Sequence, residues 1–95
     1  MEFRKKMASY EIEFDPRAAK SFSKLDKSTQ KAIQKYLNKE QLRHKPRTFG
    51  KPLRYSLCGL WRYRVGDYRI IADIQDDALI ILVIDVDHRK EIYRK

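Results

Sequence analysis

Arg62, Arg64 and Arg69 surround the pair Gly66-Asp67. Gly-Asp between two alternating apolar/polar runs reads as a two-residue hairpin turn. Counting outward from it pairs Val65 with Tyr68, Arg64 with Arg69, Tyr63 with Ile70 and Trp61 with Ala72. Trp61, Tyr63, Val65, Ile70, Ala72 and Ile74 then share one face, and Arg62, Arg64 and Arg69 share the other. Arg64 and Arg69 stand directly opposite, about 4.5–5.5 Å apart at Cβ, where like charges repel. Folding alone gives no reason for that choice, and an anion between them removes the penalty. Two guanidinium forks suit a phosphate. The competing reading lets both side chains fan into solvent or pair with nearby acids.

A second group lies in the tail, Asp87-His88-Arg89-Lys90-Glu91-Ile92-Tyr93. As an imidazole, His88 can move a proton, or it can cap a surface. Tyr93 can stack on a base or anchor the tail to the domain. The sequence has no Cys/His metal spacing, no glycine-rich phosphate loop and no Ser-His-Asp order. Asp73, Asp76, Asp77, Asp85 and Asp87 do not read as a metal cluster. Asp76-Asp77 is turn chemistry, and simple alternation sends Asp73 and Asp85 to opposite faces. Cys58 reads as a small core or turn residue.

The elements that position these groups follow from periodicity. Residues 10–14 alternate apolar and acidic, as a half-buried strand does. Asp15-Pro16 starts a helix, with Asp as the cap and Pro in the first turn. Ala18, Ala19, Phe22 and Leu25 recur at helical spacing behind it. Asp26 can cap a second helix with Ala32, Ile33, Tyr36 and Leu37 as its stripe, running to about Arg43 before Pro46 stops it. Residues 43–52 form a basic loop. Two hairpin strands follow, then a tight turn at Asp76-Asp77. Residues 78–86 are almost continuously apolar, which suggests a central strand buried on both faces. The expectation is an α+β fold in the order β-α-α-β-β-β, a helix hairpin on one face of a small, mostly antiparallel sheet. Residues 1–7 read as a flexible N-terminal extension and 8–95 as a single domain.

Ninety-five residues support one modest core and exclude a multidomain enzyme. A lone cysteine excludes an internal disulfide framework and fits a reducing, cytoplasmic compartment. The longest apolar run is far too short for a bilayer, and the N-terminus has no apolar signal core, so no membrane is expected. Net charge is +9 and unevenly spread: +7 over residues 43–72, −5 over 73–87 and +3 over 88–95. That pattern points to a polyanionic partner such as RNA. Arg43, Lys45, Arg47, Lys51, Arg54 and Arg62 are the expected RNA-binding set, helped by helix lysines Lys31, Lys35 and Lys39.

Three motifs resemble the RelE/ParE toxin superfamily, the RelE branch above all: Lys51-Pro-Leu-Arg54, then Leu57-x-Gly-Leu-Trp-Arg-Tyr-Arg-Val-Gly-Asp-Tyr-Arg-Ile70, then His88-Arg-Lys-Glu-Ile-Tyr93. The resemblance spans about residues 10–93. It implies the toxin of a type II toxin–antitoxin pair, a ribosome-dependent endoribonuclease that cuts mRNA in the decoding site without a metal or cofactor. Its implied partners are a RelB-like antitoxin, the ribosome carrying mRNA, and ribosomal RNA. Arg62 and Arg64 fall where the branch has lysines in a Tyr-Lys-x-Lys strand, and Arg69 matches its Tyr-Arg arginine. Arg89 matches an arginine in a Gly-Lys-Arg segment, Tyr93 its Glu-Val-Tyr tyrosine, and His88 a histidine common before that arginine. An arginine is a poor general base, so a lysine's proton-abstracting role does not transfer to Arg62 or Arg64.

On this reading Arg64, Arg69, His88, Arg89 and Tyr93 are the catalytic set. The arginines stabilise charge at phosphorus, His88 transfers the proton, Arg89 assists the leaving oxygen and Tyr93 orients a base. Two alternatives remain: a ParE-like inhibitor of DNA gyrase, and a non-catalytic RNA- or protein-binding module on the same fold.

Overall fold

A computed structural model describes residues 9–54 and 59–88. The chain opens with strand β1 (Glu11–Phe14), whose Ile12 and Phe14 turn inward while Glu11 and Glu13 stay exposed. Helix α1 (Pro16–Ser23) begins where the sequence demands it. The Asp15 carboxylate accepts from the Ala18 N–H at 2.9 Å, and Pro16 occupies the first turn. Helix α2 (Lys27–Leu37) follows Asp26, whose carboxylate accepts from the hydroxyls of Ser28 and Thr29. These two hydroxyls hold its pKa below the usual carboxylate value.

The second helix ends earlier than its periodicity suggests. Lys39 has extended backbone, and a separate short helix α3 (Glu40–His44) starts after it. The break lets Leu42 swing into the core, where it is fully buried. The basic loop also holds more structure than expected: a 3₁₀ turn (Pro46–Thr48) and an edge strand β2 (Lys51–Pro52). Strands β3 (Trp61–Val65), β4 (Tyr68–Gln75) and β5 (Ile80–His88) complete a five-stranded sheet in the order β1-β5-β4-β3-β2. β1 runs parallel to β5, and the other neighbours are antiparallel. The turn before β5 is longer than Asp76-Asp77. It spans residues 76–79 with Leu79 at φ 55°, so β5 starts at Ile80.

Helices cover one face of the sheet. Ala18, Ile33, Leu37 and Leu42 meet Tyr63, Ile70, Ala72, Ile81, Val83 and Val86 in one buried cluster. Tyr63 is the largest fully buried side chain. Its hydroxyl donates to the Pro46 carbonyl at 2.7 Å and ties the basic loop down. Burial pushes its pKa well above the ordinary tyrosine range, with Tyr36 adding to the rise. Gly50 makes the same connection sterically. It sits at φ 74°, and a Cβ there would run into the Arg62 carbonyl oxygen.

Candidate phosphate-binding site on the open sheet face

The hairpin register is the one counted from the turn. Arg64 faces Arg69, Tyr63 faces Ile70, and Trp61 faces Ala72. A two-residue turn leaves the strands no other register. Arg62, Arg64 and Arg69 therefore lie on the face opposite the helices, with Lys51 joining them from β2 as the register partner of Arg62. The two opposed arginines differ in setting: Arg64 is exposed, whereas Arg69 is only 9% exposed. A cation so buried requires counter-charge, and the register places Asp87 of β5 directly opposite Arg69.

Asp87 reaches this face because of one irregularity. Ile71 pairs with Asp85 and Ala72 with Val83, which leaves Ile84 as an extra residue in β5. A bulge of this kind reverses the facing of every later residue. Without it, His88 would share the arginine face while Asp85 and Asp87 pointed toward the helices. With it, Val86 enters the core at 3% exposure, and Asp85 and Asp87 move to the open face. His88 pairs with Tyr68 on the helix side, ring against ring, with centroids 5.1 Å apart at 83°. Two expectations are corrected here. Asp73 and Asp85 share a face, and His88 stands apart from Arg64 and Arg69. Asp85 and Asp87 sit together on this face, two residues apart in β5. Burial first, then Asp87, push the Asp85 pKa upward, against a lowering by Arg17 at the start of α1.

The expected RNA-binding residues divide. Lys51 and Arg62 sit beside the arginine pair. Lys45 and Arg54 are exposed in the flanking loop. Arg43 is committed elsewhere: its Nε donates to the Tyr10 carbonyl at 2.8 Å while its own carbonyl accepts from the Tyr10 N–H. Arg47 makes a two-pronged ion pair with Asp76 at 2.9 and 3.1 Å, and Tyr10 also donates to Asp76 at 2.7 Å. These two arginines fasten loop to sheet. Of the helix lysines, Lys39 lies over the rings of Tyr36 and Phe49 at 4.8 and 5.4 Å, and Lys31 and Lys35 are exposed. Arg89 and Tyr93, together with Cys58 and residues 1–7, lie outside the described residues. Among the described residues no group of three His, Cys, Asp or Glu is placed to hold a metal, and no helix is long and apolar enough to cross a membrane.

Sequence reasoning missed Asp87. Its signal is the alternation Asp85-Val86-Asp87, whose inward residue has the opposite parity to Ile81 and Val83. The continuous apolar run before it hides that switch.

The chain is similar to known proteins in both sequence and fold. Residues 12–93 match the family model described as ParE toxin of type II toxin-antitoxin system, parDE. The chain is 33% identical over 86 residues to Toxin RelG of Mycobacterium tuberculosis, covering 90% of this chain and 98% of that one. Its structure resembles the RelBE2 toxin-antitoxin complex from the same organism, with a TM-score of 0.77, 31% identity, and 90% and 98% of the two chains covered. The isolated E. coli RelE toxin is also similar, with a TM-score of 0.72, 26% identity, and 90% and 93% covered. The chain belongs to the RelE/ParE superfamily of type II toxin–antitoxin toxins.

Proposed function

We propose that the chain is a ribosome-dependent endoribonuclease that cuts mRNA in the decoding site and is held silent by a cognate RelB-like antitoxin. One observation carries the reading: two arginines in direct cross-strand register on a sheet face free of helices among the described residues, with Arg62 and Lys51 beside them. A scissile phosphate between Arg64 and Arg69 relieves their repulsion and places two donors where negative charge grows on phosphorus. Arg62, Lys51, Lys45 and Arg54 follow the RNA backbone on either side.

In this reaction the substrate's 2′-OH attacks the adjacent phosphorus. The O2′–P bond forms and the P–O5′ bond breaks, leaving a 2′,3′-cyclic phosphate and a 5′-hydroxyl end. The 2′ proton passes to a carboxylate on the arginine face, for which Asp87, opposite Arg69, has the right address. His88 serves structurally against Tyr68. Arg89 and Tyr93 keep their proposed roles at the leaving oxygen and the base, and the leaving 5′ oxygen takes its proton through Arg89 or water. The site lacks a paired acid and base of the kind that cuts free RNA, which fits a requirement for the ribosome to align the strand.

Toeprinting on ribosomes programmed with a defined mRNA tests this reading. Breaks appearing only when ribosome and protein are both present support it. Intact mRNA together with loss of gyrase supercoiling activity would favour the ParE-like alternative.

A further inference from the structure

The loop before β3 brings Lys51 alongside Arg62, but β2 is too short to hold it there alone. The strand is two residues long, and one of them, Pro52, has no N–H to give to a ladder. The opposite side of β3 supplies the fastening. Arg62 and Arg64 point to the open face, while Trp61 and Tyr63 turn toward the core and grip carbonyls of the loop. Trp61 Nε1 donates to the Phe49 carbonyl at 2.6 Å, and the Tyr63 hydroxyl donates to the Pro46 carbonyl at 2.7 Å. Gly50 lies against both rings, where a Cβ would strike the indole nitrogen and the Tyr63 ring. The Arg47 guanidinium stands 6.0 Å from the centroid of the Trp61 ring, and its pair with Asp76 ties it to the turn before β5. The Phe49 ring meets Tyr36 edge-on with centroids 6.1 Å apart.

The two grips differ in burial. Tyr63 is fully buried, whereas the Trp61 bond is only part-buried. Losing the Tyr63 hydroxyl orphans a buried acceptor. Losing the indole N–H leaves the Phe49 carbonyl open to water, so little stability goes with it. What loosens is the backbone two residues before Lys51. We propose that Trp61 is a positioning residue for RNA binding: its indole N–H holds the Phe49 carbonyl so that Lys51 stands beside Arg62 on the path of the RNA backbone. A lysine head is a compact charge on a flexible stem. Fixing the backbone beneath it reduces the freedom lost when it meets a phosphate. A phosphate away from the cut carries the same charge before the reaction and in the transition state. The contact therefore strengthens binding and leaves the rate of the bound complex unchanged. The inference rests on the RNA-binding part of the proposed function and does not need the catalytic assignments.

The test is a double-mutant cycle of Trp61→Phe and Lys51→Ala, read by binding to mRNA-programmed ribosomes and by single-turnover cleavage at saturation. Melting curves check that each variant is folded. Trp61→Phe keeps an aromatic ring and loses the donor. It should fold, bind about three- to tenfold more weakly with a shallower salt dependence, and cut at saturation within about twofold of wild type. With Lys51→Ala already in place, Trp61→Phe should cost no further affinity. The indole N–H of Trp61, the chain's single tryptophan, should exchange with solvent more slowly in the free protein than in free tryptophan. An unfolded Trp61→Phe makes the indole structural and overturns the proposal. Equal affinity losses with and without Lys51, unchanged affinity, or an indole N–H that exchanges as fast as free tryptophan also overturn it. So does a slower saturating rate with affinity intact, which puts Trp61 in the chemistry instead. Wild type that does not bind ribosomes removes both this inference and the RNA-binding reading. Binding that follows the cycle without any cleavage leaves the inference standing and removes the nuclease.

Discussion

Replacing Arg64 with alanine separates function from folding at one position. Arg64 is exposed and faces Arg69 across a non-helical sheet surface. Like charges directly opposite across two strands cost about 0.2–1 kcal/mol. Arg64→Ala should therefore leave stability unchanged or raise it by up to about 1 kcal/mol, a gain of at most about 4–8 °C in Tm for a domain of this size. On the proposed mechanism the same change removes a donor from the transition-state phosphate, a loss worth about 10²–10³ in rate. Arg69→Ala differs because its side chain is buried. It forfeits packing of the aliphatic stem and a buried charge, and should cost about 1–3 kcal/mol besides the rate loss. Thermal melts and single-turnover cleavage on programmed ribosomes measure both quantities. An Arg64→Ala protein that melts several degrees lower would make Arg64 structural. One that melts normally and cuts within threefold of wild type would refute the phosphate assignment.

Three further outcomes follow from the scaffold. Tyr63→Phe removes the only hydroxyl bonded to the Pro46 carbonyl among the described residues, and should cost about 1–3 kcal/mol in chemical denaturation. Gly50→Ala drives a Cβ into the Arg62 carbonyl at a left-handed position, and should lower Tm by more than 8 °C or prevent folding. Acid affects two carboxyls with opposite sign. Arg47 and Tyr10 hold the Asp76 pKa below its ordinary value, so its small, solvent-screened contribution is present above about pH 4 and is lost as pH falls through the folded value; Asp76→Asn should flatten that part of a Tm-versus-pH curve. Burial raises the Asp85 pKa, so folding favours its protonated form more than the unfolded chain does, and that contribution is lost as pH rises; Asp85→Asn should stabilise near pH 7 and gain nothing at acid pH.

The parts of the fold that were legible in the sequence are those set by short-range rules. The Gly66-Asp67 turn fixed the β3–β4 register to the residue, Asp15-Pro16 placed the start of α1, and the apolar run marked β5 as an inner strand. The rest depends on contacts between distant residues. The break at Lys39 exists because Leu42 finds the core, and the extra residue at Ile84 is masked by apolar side chains of both parities. β5 lies between β1 and β4, and the face it turns away from the helices carries the half-buried Ile80 and Leu82. That Arg43 and Arg47 are tied to Tyr10 and Asp76 is likewise invisible in composition. The Arg64–Arg69 register is legible in the sequence because a tight turn determines it, whereas the facing of His88 depends on a bulge.

The central claim is that the substrate's own 2′-hydroxyl attacks a phosphate held between Arg64 and Arg69. It is tested most directly on ribosomes carrying an mRNA with one 2′-deoxy nucleotide on the 5′ side of the cut found by toeprinting. The account predicts that the all-ribose message breaks with a 2′,3′-cyclic phosphate and a 5′-hydroxyl, and that the deoxy message stays intact at that position while still recruiting the protein. Cleavage of the deoxy message at the same bond would contradict it.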